Sequence, residues 1–140
     1  MKRNRGYWGV VFYEPKFDEN IGTAVRSANC FGAKFIGVIG KRYRGQPSDT
    51  MKTENHVPIY EYSDMDDFLK HIPIGCEVIG LEVDGKDIVG FKHPKRAIYV
   101  LGGEDRNLPD VIKNRLRIDT THCLNMSVAA SIVMFHRSLN

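Results

Sequence analysis

Short β-branched and aromatic runs alternate along this chain with segments of helical period, and no other feature restricts the fold as much. Tyr7 to Tyr13 reads as a strand that ends at Glu14-Pro15. Ile21, Ala24, Val25 and Ala28 then fall at helical spacing, with Asn20 as the expected N-cap and Phe31-Gly32 as the stop. Further strands are expected over Lys34 to Ile39, Glu77 to Val83, Ala97 to Leu101 and Leu116 to Ile118. Between them, Ser48 is expected to cap a short helix to about Asn55, Ser63 a second to about His71, and Pro109 to open a third ending near Asn114. Strands separated by helices imply crossover connections. The expectation is therefore an α/β domain with a mainly parallel sheet flanked by helices, whose ligands gather at the carboxyl ends of the strands.

The chain has 140 residues, 42% of them hydrophobic and 26% charged, which suits one compact domain over residues 1–140 and does not suit a disordered segment. No internal repeat, low-complexity tract or linker interrupts it. Its apolar stretches fall far short of the roughly 18 residues that suggest a membrane span, and the N-terminal run is soon broken by Glu14-Pro15, so neither a transmembrane helix nor a signal peptide is expected. Cys30, Cys76 and Cys123 are odd in number, widely spaced and without a Cys-x-x-Cys pair. Neither a disulfide framework nor a metal site is expected, and a reducing cytoplasm is the default location.

A net charge of +3 is too mild to indicate a nucleic-acid partner by itself, but the basic residues are clustered. Lys2, Arg3 and Arg5 form one group, Lys41, Arg42 and Arg44 a second with Tyr43 interleaved, and Lys92, His93, Lys95 and Arg96 a third. Each falls in a predicted loop or terminus where phosphates could reach it; the alternative is an ordinary solvated surface. From Met126 to Phe135 eight of ten residues are apolar, so the last helix must be covered nearly all round, by the core and by another subunit.

Three segments place small or polar residues beside predicted strands. The first runs from Asn20 to Gly32 and carries Arg26 among Ala24, Val25 and Ala28. A guanidinium there should be buried and should have an anionic partner, unless it snorkels to the surface. The second, Gly102-Gly103-Glu104, follows a strand directly, so a ligand can approach the backbone closely; a tight turn with a capping acid is the alternative. The third, Ile118 to Ala130, leads a polar loop into Asn125 at the head of the most apolar helix, where free backbone amides can bind a ligand or Asn125 can act simply as an N-cap. Dinucleotide and phosphate-loop glycine patterns are absent.

In this order and spacing the three segments resemble the SpoU/TrmH family of SPOUT RNA methyltransferases. The family's first motif, Asn-x-Gly-x-x-x-Arg with a later Phe-Gly, is complete in Asn20, Gly22, Arg26, Phe31 and Gly32. Its second, Gly-x-Glu before Gly-Leu, is present as Gly102-Gly103-Glu104, with Asn107 where the family has Gly before Leu108. The third keeps Leu124-Asn125 but has Cys123 for Ser and Asp119 for Pro, in a loop a few residues short.

The resemblance implies a trefoil knot at the C-terminal end, a homodimer and S-adenosylmethionine as cofactor. The implied reaction is methylation of a ribose 2′-hydroxyl of RNA, with transfer RNA favoured and ribosomal RNA second. Many relatives carry an extra RNA-binding domain; this chain is expected to be of the minimal type. Arg26 takes the catalytic position, as phosphate clamp and stabiliser of developing charge or as the proton acceptor, with Asn20 positioning it or the ribose. The cofactor is expected against Leu81, Gly102, Gly103, Ile118, Cys123 and Leu124, with Glu104 and Asn125 supporting the loops, and RNA against Arg26, Lys41, Arg42 and Arg44. A base-nitrogen methyltransferase, a non-catalytic RNA-binding relative and a small-molecule methyltransferase are the alternatives.

Overall fold

The computed structural model describes residues 6–103 and 107–139. Within them lies a parallel sheet of β1 (Tyr7–Tyr13), β2 (Phe35–Ile39), β3 (Ile59–Tyr62), β4 (Glu77–Asp87), β5 (Arg96–Gly102) and β6 (Asn114–Arg117). The strand order is β3-β2-β1-β5-β4-β6, and every neighbouring pair is parallel. Parallel strands covered on both faces read as continuous apolar runs rather than alternating ones. The three central strands do so: β2 is buried throughout, and β1 and β5 are buried except at their ends.

Helices α1 (Asp18–Phe31) and α3 (Met126–Ser138) cover one face, where Trp8, Val10, Phe12, Tyr99 and Leu101 meet Ala24, Ala28, Ala130 and Val133. The short helix α2 (Met65–Leu69) and the segment around Leu108 and Ile112 cover the other, over Val11, Phe35, Ile98 and Val100. Both faces of the three central strands are thus dry.

The expected elements differ from the observed ones where side chains compete with the backbone. α1 begins three residues before Asn20 could cap it, with Phe17 at the N-cap and Asp18 and Glu19 in the first turn, where carboxylates favour the helix dipole. Ser48 caps no helix. Its hydroxyl donates to the Glu19 carbonyl at 3.3 Å, while buried Asp49 accepts from the Thr53 amide and hydroxyl, leaving only a 3-10 turn at Thr53–Asn55. Asp64, not Ser63, caps α2, and Asp67 reaches back to the Ser63 amide in a reciprocal capping arrangement.

The helix expected after Pro109 is a single turn. Arg115 donates to the carbonyls of Leu108, Pro109 and Ile112, which holds that segment open until β6 starts at Asn114. Strand β3 was not foreseen, and β4 runs on past Val83 to Asp87 through a register shift after Leu81.

The C-terminal turn of α3 is fastened by Arg137, which is only 4% exposed and donates to the Pro94 and Lys95 carbonyls and to the Tyr99 hydroxyl. His93 joins the same group, with Nδ1 2.7 Å from the Tyr99 hydroxyl and Nε2 2.7 Å from His136 Nδ1. Burial, helped by His136 and Arg137, pulls the His93 pKa from an ordinary 6.5 down to about 4. A depressed histidine binds its proton less readily folded than unfolded, so its stabilising contribution is whole above about 6.5 and declines as pH falls toward about 4. Thermal melts across that window should show a falling midpoint for the wild type and a visibly flatter profile for His93→Gln. Parallel profiles would remove His93 from the account.

Candidate active site

A cavity of about 400 Å³ opens at the carboxyl ends of β5 and β6, beside the register shift of β4 after Leu81, where the loop after β6 enters α3. That size lies within the range of small-molecule sites. Leu81, Gly102, Gly103, Ile118, Cys123 and Leu124 all line it, so six of the eight residues expected at the cofactor meet in one place. They come from four separate stretches of chain. Leu81 and Gly102 belong to neighbouring strands paired in parallel register, Leu81 opposite Leu101, which sets the end of β5 level with the last β4 residue paired to it. Ile118 follows β6 on the other side of β4.

Gly103 is held by its neighbours. Its amide donates to the Tyr13 carbonyl at 2.8 Å, tying the end of β5 to the end of β1. A Cβ at this position would drive into the Glu14 carbonyl oxygen and stand 3.0 Å from Pro15 Cα. Only glycine fits.

Asn125 does not line the cavity. Its side-chain oxygen caps α3 by accepting from the Ser127 and Val128 amides, and its nitrogen donates to Asn20 Oδ1 at 3.1 Å. The capping reading and the supporting role are therefore one arrangement, and it joins the first motif to the third. Glu104 lies outside the described residues, as do Lys2, Arg3 and Arg5.

Glu82, Thr120, Met126 and Ala129 also line the cavity and were not singled out from the sequence, and Asn107 of the second motif lines it too. Glu82 matters most of these. Its carboxylate accepts the Leu108 amide and so pins the far side of the 102–108 segment to β4. An acidic residue directly after the apolar run that ends at Leu81 was the available signal.

Arg26 is exposed rather than buried, a correction with a simple geometric cause. The buried stripe of α1 is Ile21, Gly22, Ala24, Val25 and Ala28, and Arg26 projects outside that arc. Among the described residues it forms no hydrogen bond or ion pair, and it does not line the cavity. One turn earlier on the same side stands Thr23. Thr23 borders an almost wholly apolar groove between α1 and α3, lined also by Phe31, Val128, Ile132 and Phe135. Val128 and Phe135 are 47% and 55% exposed, so a single chain leaves this side of α3 uncovered.

The second basic group divides in two. Lys41 forms a 2.7 Å ion pair with Asp18 and donates to the Lys16 carbonyl, whereas Arg42 and Arg44 are exposed. Their loop is nonetheless ordered by contacts at its base. Glu61 accepts the Tyr43 amide at 2.6 Å, and Gly22 has no side chain because Gln46 Cβ would lie 2.5 Å from one. That contact gives the motif glycine its reason.

Fold and site together define a parallel α/β domain with a cavity where β5 and β6 end beside β4. Comparison with known proteins supplies the family: the profile of the SpoU rRNA methylase family matches residues 8–135, and the chain belongs to it. An uncharacterized tRNA/rRNA methyltransferase of Archaeoglobus fulgidus is 25% identical over 139 residues, spanning 90% of this chain and 62% of the relative.

Among solved structures, one described as giving insight into the 2-OH methylation of C/U34 on tRNA superposes with a TM-score of 0.81 at 22% identity, over 96% of this chain and 97% of that one. An AdoMet-bound rRNA methyltransferase from Sinorhizobium meliloti gives 0.81 at 23% identity, over 98% and 57%. A TrmH/SpoU tRNA modifying enzyme from A. aeolicus gives 0.83 at 16% identity, over 99% and 77%. At such identities these likenesses carry the fold. Among the described residues no helix is long and apolar enough to cross a membrane, and no group of three potential metal ligands converges.

Proposed function

We propose that this protein is an S-adenosylmethionine-dependent methyltransferase acting on a ribose 2′-hydroxyl of transfer RNA. The observation that carries the reading is the convergence of Leu81, Gly102, Gly103, Ile118, Cys123 and Leu124 on one cavity, with the Asn20–Asn125 bond linking that cavity's loop to the helix of Arg26. The apolar walls at Leu81, Ile118 and Met126 suit a flat heterocycle, and the exposed backbone at the strand ends suits its polar edge. When bound, S-adenosylmethionine supplies an electrophilic methyl group.

The chain's own residues have two tasks, to align the 2′-oxygen and to accommodate its proton and charge. Arg26 clamps an RNA phosphate and faces the developing charge, its guanidinium serving as a fixed cation with several donors rather than as a base. Asn20, held by Asn125, keeps the start of α1 in register with the cavity loop. Arg42 and Arg44 add exposed positive charge for the RNA backbone. Preference for transfer RNA rests on the solved relative of nearly equal span, whose description names tRNA.

The reading includes a homodimer, in which a second copy covers the Val128 and Phe135 side of α3 and brings its own surface beside Arg26. It includes also the C-terminal trefoil knot that membership of the family implies. Calorimetry should detect S-adenosylmethionine or its demethylated product, and nucleosides from bulk transfer RNA incubated with enzyme should gain a 2′-O-methyl group. Absence of binding at millimolar ligand would overturn the cofactor assignment, and a methyl group found on a base would overturn the ribose assignment.

A further inference from the structure

Leu81, Glu82 and Val83 line the cavity in succession, where β4 leaves its pairing with β6 before rejoining it at Lys86. Two of the three are apolar. Glu82 is partly buried, and among the described residues that line the cavity it is the only aspartate, glutamate, lysine, arginine or histidine.

Its charge is not cancelled locally. Oε1 accepts the Leu108 amide, which fixes the carboxylate in place, and among the described residues no ion pair reaches it. The nearby aspartates differ. Asp84 pairs with Arg115 at 3.3 Å and Asp119 with Arg117 at 3.8 Å, and neither lines the cavity. Positive potential comes from the amino end of α3, where Met126 forms part of the wall. That helix end amounts to about half a unit charge spread over its free amides, and the Asn125 side chain already occupies those of Ser127 and Val128. The full charge on Glu82 therefore sets the sign of the potential inside the cavity.

A partly buried carboxylate is screened less than one on the surface, so a cation beside it is stabilised while a neutral group is not. The two ligands of the proposed reaction differ in that respect. S-adenosylmethionine carries a positive sulfur, S-adenosylhomocysteine a neutral thioether, and their adenosine and amino-acid ends are the same. We infer that Glu82 makes the cavity selective for the charge of its ligand, holding the sulfonium donor more tightly than the thioether product and so favouring their exchange after each transfer. The inference rests on the methyltransferase reading above. Were Glu82 only a strut for the segment around Leu108, its loss would weaken both ligands alike.

Titration calorimetry of the full chain with S-adenosylmethionine and, separately, S-adenosylhomocysteine gives the ratio of the two affinities. Glu82→Gln retains an oxygen to accept the Leu108 amide and removes the charge. The wild type should prefer the donor at least about fivefold, and Glu82→Gln should lose about that factor for the donor while the product stays within about twofold, as expected for one unit charge in a half-open site. Raising sodium chloride from about 50 mM to about 500 mM should narrow the wild-type ratio and leave that of Glu82→Gln level. Melting curves confirm that the variant is folded, and the salt series on the wild type needs no variant.

Equal weakening of both ligands in folded Glu82→Gln, or a wild-type ratio near one that salt does not move, would overturn the selectivity and leave the methyltransferase reading standing. A wild type that binds neither ligand at millimolar concentration would overturn both.

Discussion

Arg26→Ala is expected to lower the single-turnover rate of transfer RNA methylation by about a hundredfold to a thousandfold, the usual consequence of losing one fixed charge that faces a developing negative centre. The same protein should melt with the wild type and keep its affinity for S-adenosylmethionine. Exposure of Arg26 on α1, outside the buried stripe, makes that separation clean, because little native packing is lost with the side chain. Arg26→Lys keeps a point charge without the planar fork, so a phosphate clamp should be rescued only in part. Light scattering on the same samples guards against a dimer effect, since Thr23 one turn away borders the apolar groove. Wild-type turnover in a stable Arg26→Ala protein would remove the catalytic assignment.

Gly103→Ala should have the opposite signature, with cofactor affinity and stability falling together. The added methyl would meet backbone on the far side, the Glu14 carbonyl and Pro15 Cα, and backbone yields less readily than the end of a long side chain. Overpacking of this kind costs roughly 1–3 kcal/mol when the structure absorbs it. Here it can be absorbed only by moving the end of β5, which carries the Gly102–Gly103 wall of the cavity. Calorimetry should show at least a tenfold loss of S-adenosylmethionine affinity, beside a lower melting temperature. Affinity equal to wild type would mean that this wall is not where the cofactor lies.

The parts of the site that could be read in advance are those set by the chain's own order. Gly102-Gly103 and Leu124-Asn125 sit directly beside a strand or a helix, so the parallel topology delivers them to one end of the sheet whatever the loops do. Glu82 escaped because its role depends on a partner 26 residues away, the Leu108 amide. The mistaken helices have the same origin. Asp49 and Arg115 each satisfy backbone groups that local propensity assigned to a helix, and propensity alone does not show that such a side chain will be in reach. Arg26 failed for another reason. Small apolar neighbours marked its helix as buried, but the stripe is narrow and the residue falls just outside it.

The hydrogen bond between Asn20 and Asn125 joins positions 105 residues apart, and the cavity it supports draws on β4, β5, β6 and α3. Closing so long a loop is entropically unfavourable until most of the intervening chain has settled, and parallel sheets are slow to settle. The cavity therefore exists only when distant parts of the fold are in place together: a partly folded chain, however much of its sheet has formed, lacks one of the walls until α3 has docked.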